Sequence, residues 1–214
     1  MKLKLYTNSH SVTCSKIEVV IDFKSIDIEK IEAINNYGAF SPTATVPCLS
    51  MNNNMISDSS SIVEYFEEVF PSPSLLTKDA NTNMIIRFQS TLVDEKLIGT
   101  IRKLFSLVKN TSHPSDGMMI DNIFKEIENN LKLIFQIKGS NFYLANSSIS
   151  LADCNTPAFF SMLKEFEKHF NKEVEKTDSF NEYEKALFLD KVLLKEYKRY
   201  GFEIRNWIAN KLLA

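Results

Sequence analysis

The amino-acid sequence predicts a mixed α/β domain followed by an all-α helical bundle. In residues 1–76, short segments typical of β-strands alternate with segments typical of helices, in the order β-α-β and then β-β-α. In residues 77–214, nearly every segment instead has the apolar spacing of an amphipathic helix. The stretch "PSPSLL" at the junction is rich in proline and serine, which is typical of a linker. We therefore expect two domains, at 1–76 and 77–214.

The order of elements in the N-terminal domain follows from local patterns. The stretch "KLKLYT" alternates as a strand does, and "VTCSKIEVVIDF" carries Ile17, Val20 and Ile21 at helical spacing. A second strand is expected in "SIDIEKIEAI", and a hairpin is expected from "TVPCLSM" and "NMISD". The segment "SSSIVEYFEEVF" then predicts a helix that ends at Pro71.

The C-terminal domain is expected to begin with a long helix over residues 79–109, paired with a second helix after the break "NTSHPSDG". In "SSISLADCNTPAFFSML", Ser150 and Asp153 have the spacing of a capping box. Pro157, seven positions past that cap, is expected to bend the helix. Cys154 is interpreted as a small core residue of this helix.

Composition narrows the functional classes. A formal net charge of -2 gives no global field for a nucleic acid, so direct nucleic-acid binding is not expected. The apolar runs are far shorter than the roughly 20 residues of a membrane span, and we expect a cytoplasmic protein without a membrane partner. Cys14, Cys48 and Cys154 are widely spaced, which argues against a structural metal site.

The stretch "SHSVTC" lies where the first strand gives way to the first helix. A thioredoxin-type redox centre has Cys-x-x-Cys at such a junction, but here Ser11 occupies the first position and only Cys14 is a cysteine. Cys14 therefore corresponds to the resolving position and not to the attacking one. These residues alone leave two alternatives, that the redox chemistry has been lost or that it has been exchanged for another kind.

Three motifs, in this order along the chain, resemble the glutathione transferase superfamily: "TVPCL", "SDSSSIVEYF" and "SLADC". The resemblance implies the glutathione transferase fold, a thioredoxin-like N-terminal α/β domain plus an all-α C-terminal helical bundle. It implies a cis bond before Pro47, which exposes the backbone of Val46 to the cysteinyl group of glutathione. It also implies that Asp58 and Ser59, at the start of a helix, face the γ-glutamyl carboxylate.

The same resemblance gives Ser11 a candidate catalytic role. Aligning "SVTCSKIEVVI" with the family's first helix puts Ser11 where serine- or cysteine-type transferases carry the residue that faces the glutathione sulfur. A hydroxyl that donates to a thiolate lowers a thiol pKa from its usual value of about 8.5. The alternative is that Ser11 only caps the helix, as serine often does.

One branch of the superfamily gives our first functional prediction. The stretch "IVEYFEEVFPSPSLL" resembles the stringent starvation protein A signature, with Pro71, Ser72 and Pro73 at the branch's exposed Pro-His-Pro patch. This resemblance implies a transcription regulator that binds RNA polymerase through that patch and lacks transferase activity. It also implies a dimer, either a homodimer or a heterodimer with a paralogue. Ser72 replaces the branch's histidine.

The alternative prediction is an enzyme, a glutathione S-transferase that conjugates glutathione to a small electrophile. Ser11 would stabilise the thiolate, Val46 would pair with the cysteinyl backbone, and Asp58 and Ser59 would hold the γ-glutamyl end. Glutathione is the one cosubstrate that the resemblance implies. A non-catalytic binder of another small ligand in the same cleft is a third interpretation.

Overall fold

The computed structural model describes residues 3–34, 36–52, 54–109 and 114–213. The N-terminal part contains four strands and two helices, and the C-terminal part contains five long helices. In chain order the elements are β1 (Leu3–Thr7), α1 (Val12–Lys24), β2 (Glu29–Glu32), β3 (Cys48–Met51), β4 (Asn54–Ile56), α2 (Ser59–Val69), α3 (Ala80–Leu92), α4 (Pro114–Lys138), α5 (Thr156–Phe170), α6 (Asp178–Leu189) and α7 (Lys191–Leu213).

The four strands form one sheet in the order β2-β1-β3-β4. Strand β1 pairs parallel with β2, as the βαβ connection through α1 requires, and antiparallel with β3. Strands β3 and β4 form the predicted hairpin, with Leu49 opposite Ile56. This mixed sheet with flanking helices, followed by helices alone, confirms the predicted fold class. The exact division at 76/77 stays a prediction.

Helix α1 is buried on nearly all sides because it is sandwiched between the sheet and the helical domain. It packs against α2 and also against α5 and α7. Even its polar residues Ser15 and Lys16 are buried. One continuous hydrophobic core joins the two parts of the chain, so the loop before α1 lies where they meet.

The predicted regular helix over 79–109 is wrong in its second half. After Leu92 the chain forms a π-helical stretch, Val93–Ile98, a short α-helical turn, Gly99–Ile101, and a 3₁₀ segment, Arg102–Leu107. The π turn carries Asp94, whose carboxylate accepts from Lys16 Nζ at 2.7 Å and from Asn155 Nδ2 at 2.8 Å. Polar contacts with two other helices therefore accompany the departure from α-helical periodicity.

The capping box of Ser150 and Asp153 is confirmed, and it opens a 3₁₀ turn, Leu151–Asp153, that leads into α5. The predicted bend at Pro157 is wrong, because this proline lies in the first turn of α5. Proline is tolerated there, since the amide it lacks would have no helical partner. Cys154 is fully buried, as predicted for a core residue.

Candidate functional site

A cleft of about 580 Å³ lies between the N-terminal part and the helical domain. It brings together all five residues predicted for catalysis or glutathione binding, from three separate places in the chain. The α/β side is formed by the loop before α1, the approach to β3 and the start of α2, and the helical side by the 3₁₀ segment and α7. The lining residues are Asn8, His10, Ser11, Val12, Thr13, Tyr37, Ala44, Thr45, Val46, Pro47, Ser57, Asp58, Ser59, Arg102, Phe105 and Tyr200.

Ser11 is the N-cap of α1 and also lines the cleft. Its backbone is extended, and its Oγ accepts from the N–H of Cys14 at 3.4 Å. Ser11 therefore caps α1, as the alternative prediction expected, and this role does not exclude a second one in the cleft. Capping uses only an acceptor lone pair, so the hydroxyl hydrogen of Ser11 remains available as a donor.

That hydrogen belongs to a short chain of hydroxyls. Thr13 Oγ1 donates to the carbonyl of Val46 at 3.2 Å, and the Oγ atoms of Ser11 and Thr13 are 3.0 Å apart. Because the Thr13 hydrogen points to Val46, Ser11 is the donor of the second bond. The chain links the start of α1 to the residue before cis-Pro47. It also places a donor hydroxyl at a helix N-terminus, where the helix dipole favours negative charge.

The start of α2 forms another wall of the cleft. Asp58 is the N-cap, and its Oδ1 accepts from the N–H of Ser61 at 2.7 Å. The first N–H groups of a helix have no partner within the helix, so the amides that follow Asp58 can bind an anion. Ser59, the first residue of α2, faces the cleft.

Cys14 does not provide a nucleophile. Its side chain is buried beside Ser11, and it does not line the cleft. Burial raises the pKa of the Cys14 thiol, and hydrogen bonding with Ser11 and Thr7 only partly opposes this effect. A thiol with a raised pKa stays protonated at neutral pH, so any reactive sulfur in the cleft has to come from a ligand.

The helical wall contributes residues that sequence reasoning missed. The Tyr200 hydroxyl donates to the carbonyl of His10 at 3.0 Å, and the Phe105 ring packs edge-on against Phe166 and Trp207. Arg102 completes this wall. No local signal marks either residue, because Arg102 looks like any exposed position of a helix and Tyr200 like any buried one.

The predicted partner-binding residues lie outside the cleft. Pro71, Ser72 and Pro73 are exposed after the end of α2. Beneath them the buried Nζ of Lys24 donates to the carbonyls of Phe70 and Pro73, both at 2.8 Å. The Pro/Ser segment therefore closes the end of α2 over a buried lysine.

The described residues contain no group of three or more His, Cys, Asp or Glu side chains that could hold a metal ion. No helix within the described ranges is long and apolar enough to cross a membrane.

The architecture and the cleft define a class of protein in which a thioredoxin-like domain is joined to a helical bundle. This arrangement is the glutathione transferase fold. Residues 5–74 match the family described as glutathione S-transferase, N-terminal domain. The rice glutathione transferase solved in complex with glutathione superposes with a TM-score of 0.81 and 16% identity, over 100% of this chain and 99% of that one. The whole chain therefore has the glutathione transferase fold, and residues 5–74 are similar to the N-terminal domain of glutathione S-transferases.

Curated relatives agree with this assignment. The chain is 27% identical over 100 residues to glutathione S-transferase Z2 of Arabidopsis thaliana, which covers 43% of this chain and 44% of that protein. It is 25% identical over 164 residues to maleylacetoacetate isomerase of Mus musculus, covering 72% of this chain and 74% of the relative. The chain thus matches less than half the length of the Arabidopsis relative.

The predicted transcription regulator is wrong. The family match and the curated relatives point to glutathione transferases and isomerases, and none of them points to the stringent starvation protein A branch. The structure also accounts for the motif that misled the prediction. The "FPSPSLL" segment has a local packing role above Lys24, so its likeness to the branch's patch needs no polymerase contact to explain it.

Proposed function

We propose that this protein binds glutathione in the cleft and catalyses addition of its sulfur to an electrophilic carbon. The observation that carries the proposal is the convergence of Ser11, Val46, Pro47, Asp58 and Ser59 on one cleft between the domains. The cleft volume of about 580 Å³ also falls within the usual range of small-molecule sites, about 300–1,000 Å³.

Glutathione would lie along the α/β wall. The backbone of Val46, before cis-Pro47, would pair with the cysteinyl group, and the amides at the start of α2 would bind the γ-glutamyl carboxylate. This orientation brings the sulfur toward Ser11. Asp58 would act mainly through α2, because its carboxylate already caps that helix.

The chemistry assigned to Ser11 is stabilisation of the thiolate. On arrival of the sulfur, the Ser11 hydroxyl would turn its hydrogen from Thr13 to the thiolate, while Thr13 keeps its bond to Val46. A hydrogen bond to a charged group contributes about 1.5–3 kcal/mol, which corresponds to a thiol pKa lower by about one to two units. The thiol proton would pass to solvent, and the thiolate would then form the carbon–sulfur bond. The displaced electron pair would leave with a leaving group or, after addition, take up a proton. Conjugation and glutathione-dependent isomerisation share this step.

The test is the pKa of the bound thiol, followed by ultraviolet thiolate absorbance during a pH titration. We expect Ser11→Ala to raise this pKa by about one to two units and to lower the rate of conjugation near neutral pH. Ser11→Gly separates chemistry from folding, since glycine at an N-cap costs only a few tenths of a kcal/mol. Ser106→Ala removes an exposed hydroxyl outside the cleft and serves as the matched control.

An unchanged thiol pKa in both Ser11 variants would contradict the catalytic role of Ser11. Absence of glutathione binding to the unmodified protein in calorimetry would contradict the proposed function as a whole. A dimer and a cytoplasmic location stay predictions from the family and the composition.

A further inference from the structure

Among the described residues that line the cleft, Arg102 is the only Arg or Lys. It is the first residue of the 3₁₀ segment, and it lies on the helical wall together with Phe105 and Tyr200. Burial raises the pKa of the Tyr200 hydroxyl, and the positive charges of Arg199 and Arg102 partly offset this effect.

The polar side chains around Arg102 already have partners within the protein. Tyr200 donates to the His10 carbonyl, and the His10 ring lies 3.5 Å from the carboxylate of Glu203. The amide nitrogen of Asn8 donates to the carbonyl of Ala33 at 2.9 Å. These groups hold the loop before α1 in place and are not free to bind a substrate.

Arg102 differs from these neighbours. Within the described part of the chain, no hydrogen bond or ion pair engages its guanidinium. By contrast, the next residue, Lys103, forms an ion pair, because its Nζ lies 2.8 Å from a carboxylate oxygen of Glu126. The Asp58 carboxylate on the opposite wall is engaged in capping α2, so the unpaired guanidinium of Arg102 can attract an anionic ligand into the cleft.

The surroundings of Arg102 narrow the type of anion. Phe105 is held by Phe166, with ring centroids 5.3 Å apart, and by Trp207, with ring centroids 4.6 Å apart, so it offers a fixed apolar surface beside the guanidinium. A guanidinium binds a planar carboxylate through two parallel hydrogen bonds, which an ammonium group cannot do. A ligand with an apolar body and a carboxylate at one end matches both features.

We propose that Arg102 selects electrophiles that carry a carboxylate, with their apolar part on Phe105 and their reactive carbon toward Ser11. The inference rests on the proposed function, because the electrophile has to meet glutathione in this cleft. Its distinct content is that the second substrate is an anion and that Arg102 sets this preference.

The test uses two glutathione conjugates, so that binding can be measured without turnover. S-benzylglutathione and S-(4-carboxybenzyl)glutathione differ only in a carboxylate far from the sulfur. On the unmodified protein we expect the carboxylate conjugate to bind at least about tenfold more tightly in calorimetry. Arg102→Gln should abolish this difference. Arg102→Lys should keep part of it, because lysine retains the positive charge but cannot form the two parallel hydrogen bonds of a guanidinium. Lys103→Gln, next along the chain but outside the cleft, should retain the full difference.

Free glutathione, measured beside the conjugates, separates the two proposals. If glutathione binds but the two conjugates bind equally well, the inference about Arg102 is overturned and the proposed function stands. If Arg102→Gln weakens free glutathione as much as the carboxylate conjugate, Arg102 recognises a carboxylate of glutathione itself, and the inference is again overturned. If the unmodified protein binds neither glutathione nor a conjugate, the proposed function fails.

Discussion

The phenolic hydroxyl of Tyr200 donates to the carbonyl of His10, 3.0 Å away, across 190 positions of sequence. Next to it, Arg199 Nη1 donates to the carbonyl of Ser9 at 3.3 Å. Two consecutive side chains of α7 thus hold the two consecutive carbonyls that precede Ser11. The guanidinium of Arg199 is itself fixed by the buried carboxylate of Glu196. The position of the candidate catalytic serine therefore depends on the last helix of the protein.

Tyr200→Phe tests this dependence because it removes one hydroxyl and little volume. We expect a loss of about 1 kcal/mol in the free energy of unfolding and a higher pKa of the bound glutathione thiol, since the loop carrying Ser11 loses one of its attachments. Urea denaturation and the thiolate titration measure the two effects. Tyr197→Phe, on the same helix but without a bond to this loop, is the control. A thiol pKa that responds equally to both variants would argue against a specific role of Tyr200.

The ion pair of Lys24 and Glu67 predicts a large effect far from the cleft. The Nζ of Lys24 lies 2.7 Å from Glu67 Oε1, and the side chains are 0% and 6% exposed. Lys24→Met leaves a buried carboxylate without its cation, which costs about 3–5 kcal/mol. The exposed pair of Lys103 and Glu126 gives the contrast, since Lys103→Met should cost less than about 1 kcal/mol. Similar losses in the two variants would show that burial does not set the cost.

Asp153 is predicted to be the most sensitive polar residue of the helical domain. Its carboxylate accepts from the N–H groups of Leu144 and Ser150, from the Ser150 hydroxyl and from the Tyr183 hydroxyl, at 2.8–3.0 Å. Asp153→Asn turns an amide N–H₂ toward donors and should lower the free energy of unfolding by about 2–4 kcal/mol. Tyr183→Phe removes one of the four bonds and should cost about 1 kcal/mol. Equal stability of Asp153→Asn and the unmodified protein in urea would refute this network.

Asp79 gives a prediction with a defined pH dependence. It caps α3, and hydrogen bonds from the Thr82 hydroxyl and the Thr82 N–H lower the pKa of its carboxyl group. The folded state thus binds this proton less tightly than the unfolded state does. Its contribution to stability is fully present above the unfolded pKa of about 3.9 and is lost as the pH falls through the lowered folded value.

We therefore expect Asp79→Ala to be less stable than the unmodified protein at neutral pH, with a difference that narrows in acid. Urea midpoints at neutral pH and below about pH 3 measure this change. Asp79→Asn keeps a capping acceptor without the ionisation, so its deficit at neutral pH should be smaller. A difference that stays constant across the pH range would show that the carboxylate charge plays no part.

The α/β elements could be predicted because each has a local signature. Alternation indicated β1, helical spacing indicated α1, and the cap before α2 identified the helix start that lines the cleft. The five site residues were predicted from the resemblance to glutathione transferases, whose motifs lie at element boundaries in this chain. Such motifs specify local backbone geometry, such as a helix cap or a turn before proline, and this geometry depends on neighbouring residues in the sequence.

The helical half of the cleft could not be predicted from sequence. Arg102 and Phe105 follow the π-helical stretch, Val93–Ile98, which changes the phase of the helix before the segment that carries them. No local signal indicates that change, because Asp94 meets its partners Lys16 and Asn155 only in the folded chain. The prediction for Pro157 failed for a related reason, since the capping box proved to open a separate short turn.

The π-helical stretch also makes the cleft sensitive to the length of the chain. An α-helix turns by about 100° per residue, so removing a single residue from this stretch would turn the segment that follows it, residues 99–107, by more than a quarter of a turn. Such a turn would take Arg102 and Phe105 off the helical wall, and it would also turn Ile101 and Leu104 out of the core in which they are buried. The length of the π-helical stretch is therefore constrained by the core and by the cleft at the same time.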